Sequence, residues 1–185
     1  EDNERVRFLA DDERTRLLIA CRESRWPRLY LLVLLALTTG ARKGELMGLR
    51  WGDIDLSRSI AYVRRTKNGE PKVLPLLPAV TDELEKFSDK CQPGALLFAS
   101  PRNPDKPYAV DASSWPTTLK AAKIRNFRFH DLRHSCASYL AQAGASLLEI
   151  GEVLGHRQPS VTKRYAHLTV QNKAKLVGRV LGDIR

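Results

Sequence analysis

The stretch HDLRHSCASYLAQAG, residues 130–144, predicts a helix that begins with polar side chains and ends at a glycine. Its apolar residues recur every three or four positions and therefore share one helix face: Leu132, Cys136, Leu140 and Ala143. Gly144 can end the helix, because glycine readily adopts the left-handed conformation of a C-cap. His130 and Arg133 stand one turn apart, so both side chains could reach a single ligand.

Helical patterns continue on both sides of this stretch. Ser146 and Glu149 in SLLE have the spacing of a capping box, which predicts a helix that ends near Leu154 and Gly155. The run LYLLVLLAL, Leu29–Leu37, predicts a buried helix that is too short to span a bilayer.

One segment, SIAYVRRTKNGEPKVLPLLP, changes from a helical period to a strand period. Alternation around Tyr62 predicts a first strand, Asn68-Gly69 predicts a hairpin turn, and a second strand is expected from Lys72 to Leu77. The proline-rich segment from Arg102 to Val110 is expected to be irregular. The predicted fold class is mainly α (α+β), a helical domain with a small antiparallel β-sheet or hairpin.

The composition indicates a polyanionic partner. The chain has 185 residues, of which 31 are Lys or Arg and 21 are Asp or Glu, giving a net charge of +10. Such an excess favours nucleic acid over a merely basic surface or a membrane. The three cysteines form no metal-ligand pattern, and with no signal peptide they suggest small buried residues in a reducing cytoplasm.

Several short motifs could act on phosphate, although each also has a purely structural interpretation. Arg42 and Glu45 in ARKGEL could form only a surface ion pair, but a cation at a helix start opposes the helix dipole. Lys67 at the hairpin tip could be solvated or could reach into a groove. His130 with Arg133 could cap a helix or clamp a phosphate.

The stretch LGHRQPSVTKRYAHL, Leu154–Leu168, also has a structural and a functional interpretation. His156 could dock on a helix end or donate to a phosphate oxygen. Tyr165 could be a half-buried structural tyrosine or a nucleophile. Basic neighbours such as Arg164 would favour its phenolate form.

In chain order, ARxGEL, the hairpin lysine, HxLRH, LGH and TxxYxH resemble the motifs of the tyrosine recombinase family, also called phage integrases. The resemblance runs from about Phe8 to Ala174 and implies a domain that cuts and rejoins DNA through a covalent 3′-phosphotyrosine. It assigns the catalytic positions to Arg42, Lys67, His130, Arg133, His156 and Tyr165. Glu45 takes the accessory acidic position.

The chemistry of these side chains fits that assignment. Two arginines can hold the two non-bridging oxygens as negative charge builds on them. Lys67 can protonate the leaving 5′ oxygen, His130 can accept or orient the tyrosine proton, and His156 can donate to the phosphate. The phosphotyrosine keeps the bond energy, so no ATP, metal or other cofactor is expected.

The resemblance also implies an organisation and partners. Residues 1–185 are expected to form the catalytic domain, with the family's N-terminal core-binding domain absent from this chain, and residues 170–185 to form a tail helix. The expected partners are double-stranded DNA and further copies of the chain. The chain is expected to form a homotetramer on paired DNA sites and to be a monomer without DNA. Accessory DNA-bending proteins, a cytoplasmic location and a bacterial or phage origin are expected as well, and no membrane.

Three alternatives remain open from the residues. A type IB topoisomerase would share the chemistry, although that family normally has lysine at the position of His130. A non-catalytic helix-turn-helix module could use SLLEIGEVLGHRQPSVTKRY. A metal nuclease could use Asp53 and Asp55, which otherwise would cap the turn into the sheet.

Overall fold

Helices form most of the structure, a computed structural model that describes residues 7–64, 69, 71–88, 91–156 and 162–169. The α-helices that lie wholly within these ranges are α1 (Asp11–Arg22), α2 (Leu29–Thr39), α3 (Lys43–Met47), α4 (Pro78–Ser88), α5 (Ser114–Ala121), α6 (Asp131–Ala143) and α7 (Leu147–Leu154). The strands are β1 (Ile54–Asp55), β2 (Ile60–Val63), β3 (Lys72–Pro75), β4 (Ala99–Ser100) and β5 (Asn103–Pro107). The predicted fold class, mainly α with small antiparallel sheets, is confirmed.

Helix α2 lies at the centre of the core. It is apolar on every side, and Leu29, Leu31, Leu32 and Leu35 have no exposed surface. A helix without a polar face must be covered all round. Helices α1, α3, α4 and α6 pack against it. None of the described helices is long and apolar enough to cross a membrane.

Gly40 ends α2 and brings it close to α6 and α7. Its φ of 61° is left-handed, and its N–H donates to the Ala36 carbonyl at 3.1 Å. A Cβ at this position would lie 2.4 Å from Leu154 Cδ2 and 3.3 Å from Cys136 Sγ. Gly40 is therefore required both by the backbone conformation and by the close approach of two other helices.

Helices α6 and α7 enclose a second, smaller core. Its buried members are Ala137, Ala141, Ile150, Leu154 and Tyr165. The predicted capping box begins α7: Ser146 Oγ accepts from the Glu149 N–H at 3.2 Å, and Glu149 Oε2 accepts from the Ser146 N–H at 2.7 Å. Gly144 and Gly155, both left-handed, end α6 and α7 as the sequence predicted.

The predicted hairpin forms the main sheet, with the antiparallel order β1-β2-β3. Ile60 pairs with Pro75 and Val63 pairs with Lys72. Ala61 and Val63 are buried while Tyr62 is exposed, so the alternation places one face of β2 against the helices.

The segment from Arg102 to Val110 was predicted to be irregular, and this prediction was wrong. Residues 103–107 form β5, which pairs antiparallel with β4. Every residue of β5 is exposed. Proline is tolerated in such a strand because it lies at a sheet edge, where missing N–H groups break no ladder.

Gly40→Ala is expected to destabilise the fold by about 2–4 kcal/mol. The left-handed conformation penalises a Cβ by about 1–2 kcal/mol, and the clash with Leu154 adds overpacking strain. Equilibrium urea unfolding followed by tryptophan fluorescence measures the change.

Gly44→Ala is the matched control for this variant. Gly44 lies in α3 and nothing stands within 4 Å of a Cβ added there. Its replacement should leave the stability unchanged or raise it by up to about 1 kcal/mol. Equal unfolding midpoints for the two variants would contradict the proposed role of Gly40.

Candidate active site

Arg42 and Glu45 form an ion pair at the start of α3. Arg42 Nη1 donates to Glu45 Oε1 at 2.9 Å, and the Arg42 backbone N–H donates to Oε2, also at 2.9 Å. The carboxylate thus caps the helix and partly neutralises a cation that opposes the helix dipole. Glu45 is buried, whereas the Arg42 side chain is 28% exposed and keeps an accessible edge.

Arg133 is buried in the first turn of α6, with 5% of its surface exposed. Its Nη1 donates to the Gly40 carbonyl at 2.5 Å. Its Nη2 is also buried and has no hydrogen-bond partner among the described residues. Burial, followed by the nearby Arg42, lowers the pKa of Arg133 to about 10. A buried donor without a partner is costly, so an anion beside Nη2 would be stabilised.

The Gly40 turn brings the two arginines to one place. Gly40 accepts the Arg133 hydrogen bond, and Arg42 follows two positions later in the chain. Burial first, and then the like charge of Arg42, lower the pKa of Arg133, which shows that the two guanidinium groups interact. This arrangement suits a ligand with two negatively charged oxygens.

Lys72, which is not among the predicted site residues, also reaches this region. Its Nζ donates to the Val153 carbonyl at 2.7 Å, in the last turn of α7. Burial first, and then Arg133, lower the pKa of Lys72 to about 8. The sequence contained one signal for this position. Lys72, Leu74 and Leu76 are two positions apart and so share one side of an extended chain. Since Leu74 and Leu76 are buried, Lys72 occupies an inward position of β3.

His156 follows the glycine that ends α7. Its Nδ1 lies 2.9 Å from Thr162 Oγ1, and its backbone N–H donates to the Gly151 carbonyl at 2.8 Å. Burial lowers the pKa of His156 to about 4, with Arg133 and Arg42 acting in the same direction. A neutral imidazole that accepts from Thr162 through Nδ1 carries its proton on Nε2 and can donate to a phosphate oxygen.

Tyr165 is buried, at 1% exposure, and its hydroxyl is hydrogen-bonded to Nδ1 of His134 at 2.6 Å. It lies at the end of a 3₁₀ turn, Lys163–Tyr165. Burial raises the pKa of Tyr165 to about 12 although Arg164 and Arg133 act to lower it. The basic neighbours thus act in the predicted direction, but burial outweighs their effect on the pKa of Tyr165.

His134, which is not among the predicted site residues, lies beside the tyrosine. It is buried, and burial lowers its pKa to about 4, so it is neutral near pH 7. His130, at the N-cap of α6, contacts the His134 ring edge to face at 5.1 Å. The pKa of His130 is lowered too, first by desolvation and then by Arg133. In the described state the tyrosine hydroxyl thus bonds to His134, one turn from His130.

Some predicted positions lie outside the described residues. Lys67, Asn68, Arg157 and residues 170–185, the predicted tail helix, are among them. The structure therefore brings together Arg42, Glu45, His130, Arg133, His156 and Tyr165 around the junction of α2, α3, α6 and α7. The predicted role of Lys67 stays a prediction.

The two carboxylates proposed for a nuclease shape turns instead. Asp53 accepts from the Arg50 backbone N–H at 2.9 Å and from Arg64 Nε. Asp55 accepts from Ser57 Oγ at 2.7 Å. Among the described residues, no three His, Cys, Asp or Glu side chains are grouped as metal ligands would be. The geometry of Asp53 and Asp55 supports the capping interpretation.

Sequence comparison connects this arrangement with known proteins. The phage integrase family matches residues 7–172. The integrase of Salmonella phage P22 is 32% identical over 177 residues, which are 90% of this chain and 45% of that protein. The tyrosine recombinase XerA of Thermococcus kodakarensis is 30% identical over 162 residues, covering 83% of this chain and 57% of that protein. The chain spans about half the length of these curated relatives.

Solved structures give the same result at the level of the fold. The catalytic domain of bacteriophage HP1 integrase matches with a TM-score of 0.73 at 26% identity, covering 96% of this chain and 98% of that one. XerA recombinase matches with a TM-score of 0.75 at 26% identity, covering 97% and 64%. The Tn1549 transposon integrase in complex with circular intermediate DNA has a TM-score of 0.77 at 20% identity, covering 97% and 69%, and shares the fold.

His134 and His156 are expected to stay neutral down to pH 5, since the fold lowers the pKa of each to about 4. Unfolded histidine has a pKa near 6.5. Between pH 6.5 and 4 the unfolded chain therefore binds more protons than the folded protein, and acidification favours unfolding. NMR titration of the imidazole nitrogens and urea unfolding at pH 7 and pH 5 measure these two effects.

The double variant His134→Gln/His156→Gln should lose part of the stability difference between pH 7 and pH 5. The exposed His167 offers the control, because His167→Gln should leave that difference unchanged. Titration of the His134 or His156 ring near pH 6.5 in the folded protein would contradict the prediction.

Proposed function

This chain belongs to the phage integrase family, and from that premise we propose that it is the catalytic domain of a site-specific DNA recombinase. It cuts and rejoins DNA through a covalent 3′-phosphotyrosine intermediate. The observation that carries the proposal is the buried Arg133 guanidinium, whose Nη2 lacks a partner among the described residues and which stands beside Arg42.

The scissile phosphate binds between the two arginines. Arg133 is held by the Gly40 carbonyl and Arg42 by Glu45, so both guanidinium groups are oriented before the substrate arrives. Attack on phosphorus places additional charge on the non-bridging oxygens, and pre-oriented donors stabilise that charge most effectively. His156 donates a further hydrogen bond through its protonated ring nitrogen.

Tyr165 is the nucleophile. At a pKa of about 12 it carries almost no phenolate near pH 7, so its proton must leave as the oxygen–phosphorus bond forms. Its hydroxyl must also exchange the His134 hydrogen bond for the phosphate, because a side chain at 1% exposure cannot contact DNA where it lies. His130, next to His134, then accepts or orients the proton.

The leaving group is the 5′ oxygen of the cut strand, and Lys67 is proposed to protonate it. The product is a phosphotyrosine ester with a free 5′ hydroxyl. Attack by the 5′ hydroxyl of another strand reverses the step and rejoins the DNA, so the bond energy is kept without ATP. The positive charge comes from side chains, and we propose that no metal or other cofactor takes part.

Double-stranded DNA is the proposed partner. The net charge of +10 suits a polyanion. XerH recombinase bound to palindromic difH substrate has the same fold at 20% identity. From membership of the family we also propose assembly as a homotetramer on paired sites through residues 170–185, with a monomer in the absence of DNA.

The alternatives differ in what they leave unexplained. A helix-turn-helix module would need no buried, unpartnered guanidinium and would have no use for Tyr165 inside the α6–α7 core. A type IB topoisomerase would use the same chemistry on a single site. Supercoil relaxation without recombination of two sites would favour that activity.

Tyr165→Phe is expected to keep DNA binding and to abolish covalent adducts, because it removes only the nucleophilic hydroxyl. Adducts formed on a DNA library in the presence of EDTA are counted on denaturing gels. Tyr139→Phe is the matched control, since the Tyr139 hydroxyl donates to the Leu9 carbonyl on the other side of α6. Undiminished adducts with Tyr165→Phe would overturn the assignment of the nucleophile.

Arg42→Ala and Arg133→Ala are each expected to slow cleavage by about a thousandfold or more, as when an enzyme loses a cation that stabilises the transition state. Single-turnover cleavage of DNA pre-bound by the protein measures the rate. Arg50→Ala, outside the site, is the control and should retain the wild-type rate. A loss below about tenfold for either variant would remove that arginine from the transition state.

A further inference from the structure

We propose that Lys72 joins Arg42 and Arg133 as a third cation that binds the scissile phosphate. It would then be a catalytic residue for DNA cleavage, with a role different from that of Lys67. The proposal rests on the proposed function, since it assigns Lys72 to the same scissile phosphate. Its role is to stabilise charge on the phosphate oxygens, whereas Lys67 is assigned to the leaving oxygen.

Lys72 is held at the end of α7. Its Nζ donates to the Val153 carbonyl at 2.7 Å. A Cβ added to Gly155 would lie 3.6 Å from Lys72 Cδ and 3.7 Å from its Nζ. The ammonium therefore lies against the backbone that leads into His156, and the negative end of the helix dipole favours it there.

The strand positions this side chain without help from the hairpin tip. Lys72 pairs with Val63 in the sheet, and its side chain is on the same face of β3 as the buried Leu74. An ammonium has three donors, and the Val153 carbonyl occupies one of them. Lys72 can thus keep its place on α7 and still bind a ligand.

The charges that face Lys72 favour an anion. Arg133 and Cys136 face it from α6, and Arg42 and Glu45 face it from α3. The Cys136 thiol is neutral near pH 7, because burial raises its pKa to about 11. Three cations therefore surround one carboxylate, Glu45, which leaves an uncompensated positive charge where the phosphate is proposed to bind.

The partial burial of Lys72 also favours an anion beside it. Its pKa is lowered to about 8, first by desolvation and then by Arg133. An ammonium that is partly removed from water beside two guanidinium groups is stabilised when an anion binds next to it. A phosphodiester in contact with Nζ would therefore raise the pKa of Lys72 and keep it charged.

A purely structural role makes a different prediction. If Lys72 only joins β3 to α7, its loss affects every substrate equally, whatever the charge of the phosphate group. If it binds the phosphate, its loss matters less when that group is uncharged. The substrate can therefore separate the two roles within one folded variant.

The test compares Lys72→Met, Lys72→Arg and Lys67→Ala on three forms of one DNA site, located first by sequencing covalent adducts of the wild-type protein. The scissile group is a phosphodiester, a neutral methylphosphonate, or a phosphorothiolate with a 5′ bridging sulfur. Lys120→Met, at an exposed position of α5, is the surface control. Thermal unfolding checks that each variant is folded.

On the phosphodiester, Lys72→Met is expected to cleave about a hundredfold more slowly than wild type, and Lys72→Arg to recover most of the rate. On the methylphosphonate the Lys72→Met defect should shrink to about threefold or less, because less charge develops. On the phosphorothiolate it should persist, whereas the Lys67→Ala defect should disappear, since sulfur leaves without a proton.

Other outcomes overturn the proposal. Equal Lys72→Met defects on all three substrates would make Lys72 a structural link, and rescue by sulfur would make it the proton donor instead. A wild-type rate for Lys72→Met would remove it from the site. The absence of adducts with wild-type protein on any DNA would instead remove the proposed function, and this role with it.

Discussion

The hydrogen bond from Arg133 to the Gly40 carbonyl links the core of this protein to its proposed active site. It ties the first turn of α6 to the end of the central helix α2. Gly40 can occupy that junction because its φ is left-handed and because α6 and α7 leave no room for a Cβ. Arg42 follows two residues later, so the turn that ends the central helix also orients the second guanidinium group.

The site is stabilised by the fold rather than by its own charges. Arg133, Arg42 and Lys72 approach one another around a single carboxylate, Glu45. A buried donor without a partner, such as Arg133 Nη2, costs about 1–3 kcal/mol. The apolar packing of α2 offsets this unfavourable free energy, and a phosphate bound to Nη2 would remove the penalty. The proposed phosphate site would therefore be arranged in the folded state before DNA binds.

The same packing buries Tyr165, the proposed nucleophile. Tyr165 belongs to the small core between α6 and α7 and is bonded to His134. Burial dominates its pKa because desolvation acts on the hydroxyl directly, whereas the charge of Arg164 is exposed to water and screened. In the proposed mechanism, activation therefore requires Tyr165 to move to the arginines, because basic neighbours alone do not offset the effect of burial.

The sequence by itself determined the helices, the SLLE capping box, the β2–β3 hairpin and the Arg42–Glu45 pair, because each depends on residues a few positions apart. Motif order also predicted that Arg42, Glu45, His130, Arg133, His156 and Tyr165 lie close together, as they do in the structure. Only the tertiary structure decided that Tyr165 bonds to His134, 31 positions away, and that Lys72 reaches Val153, 81 positions away. Contacts of this range depend on how α6, α7 and β3 pack together, and the local period of a sequence does not specify that packing.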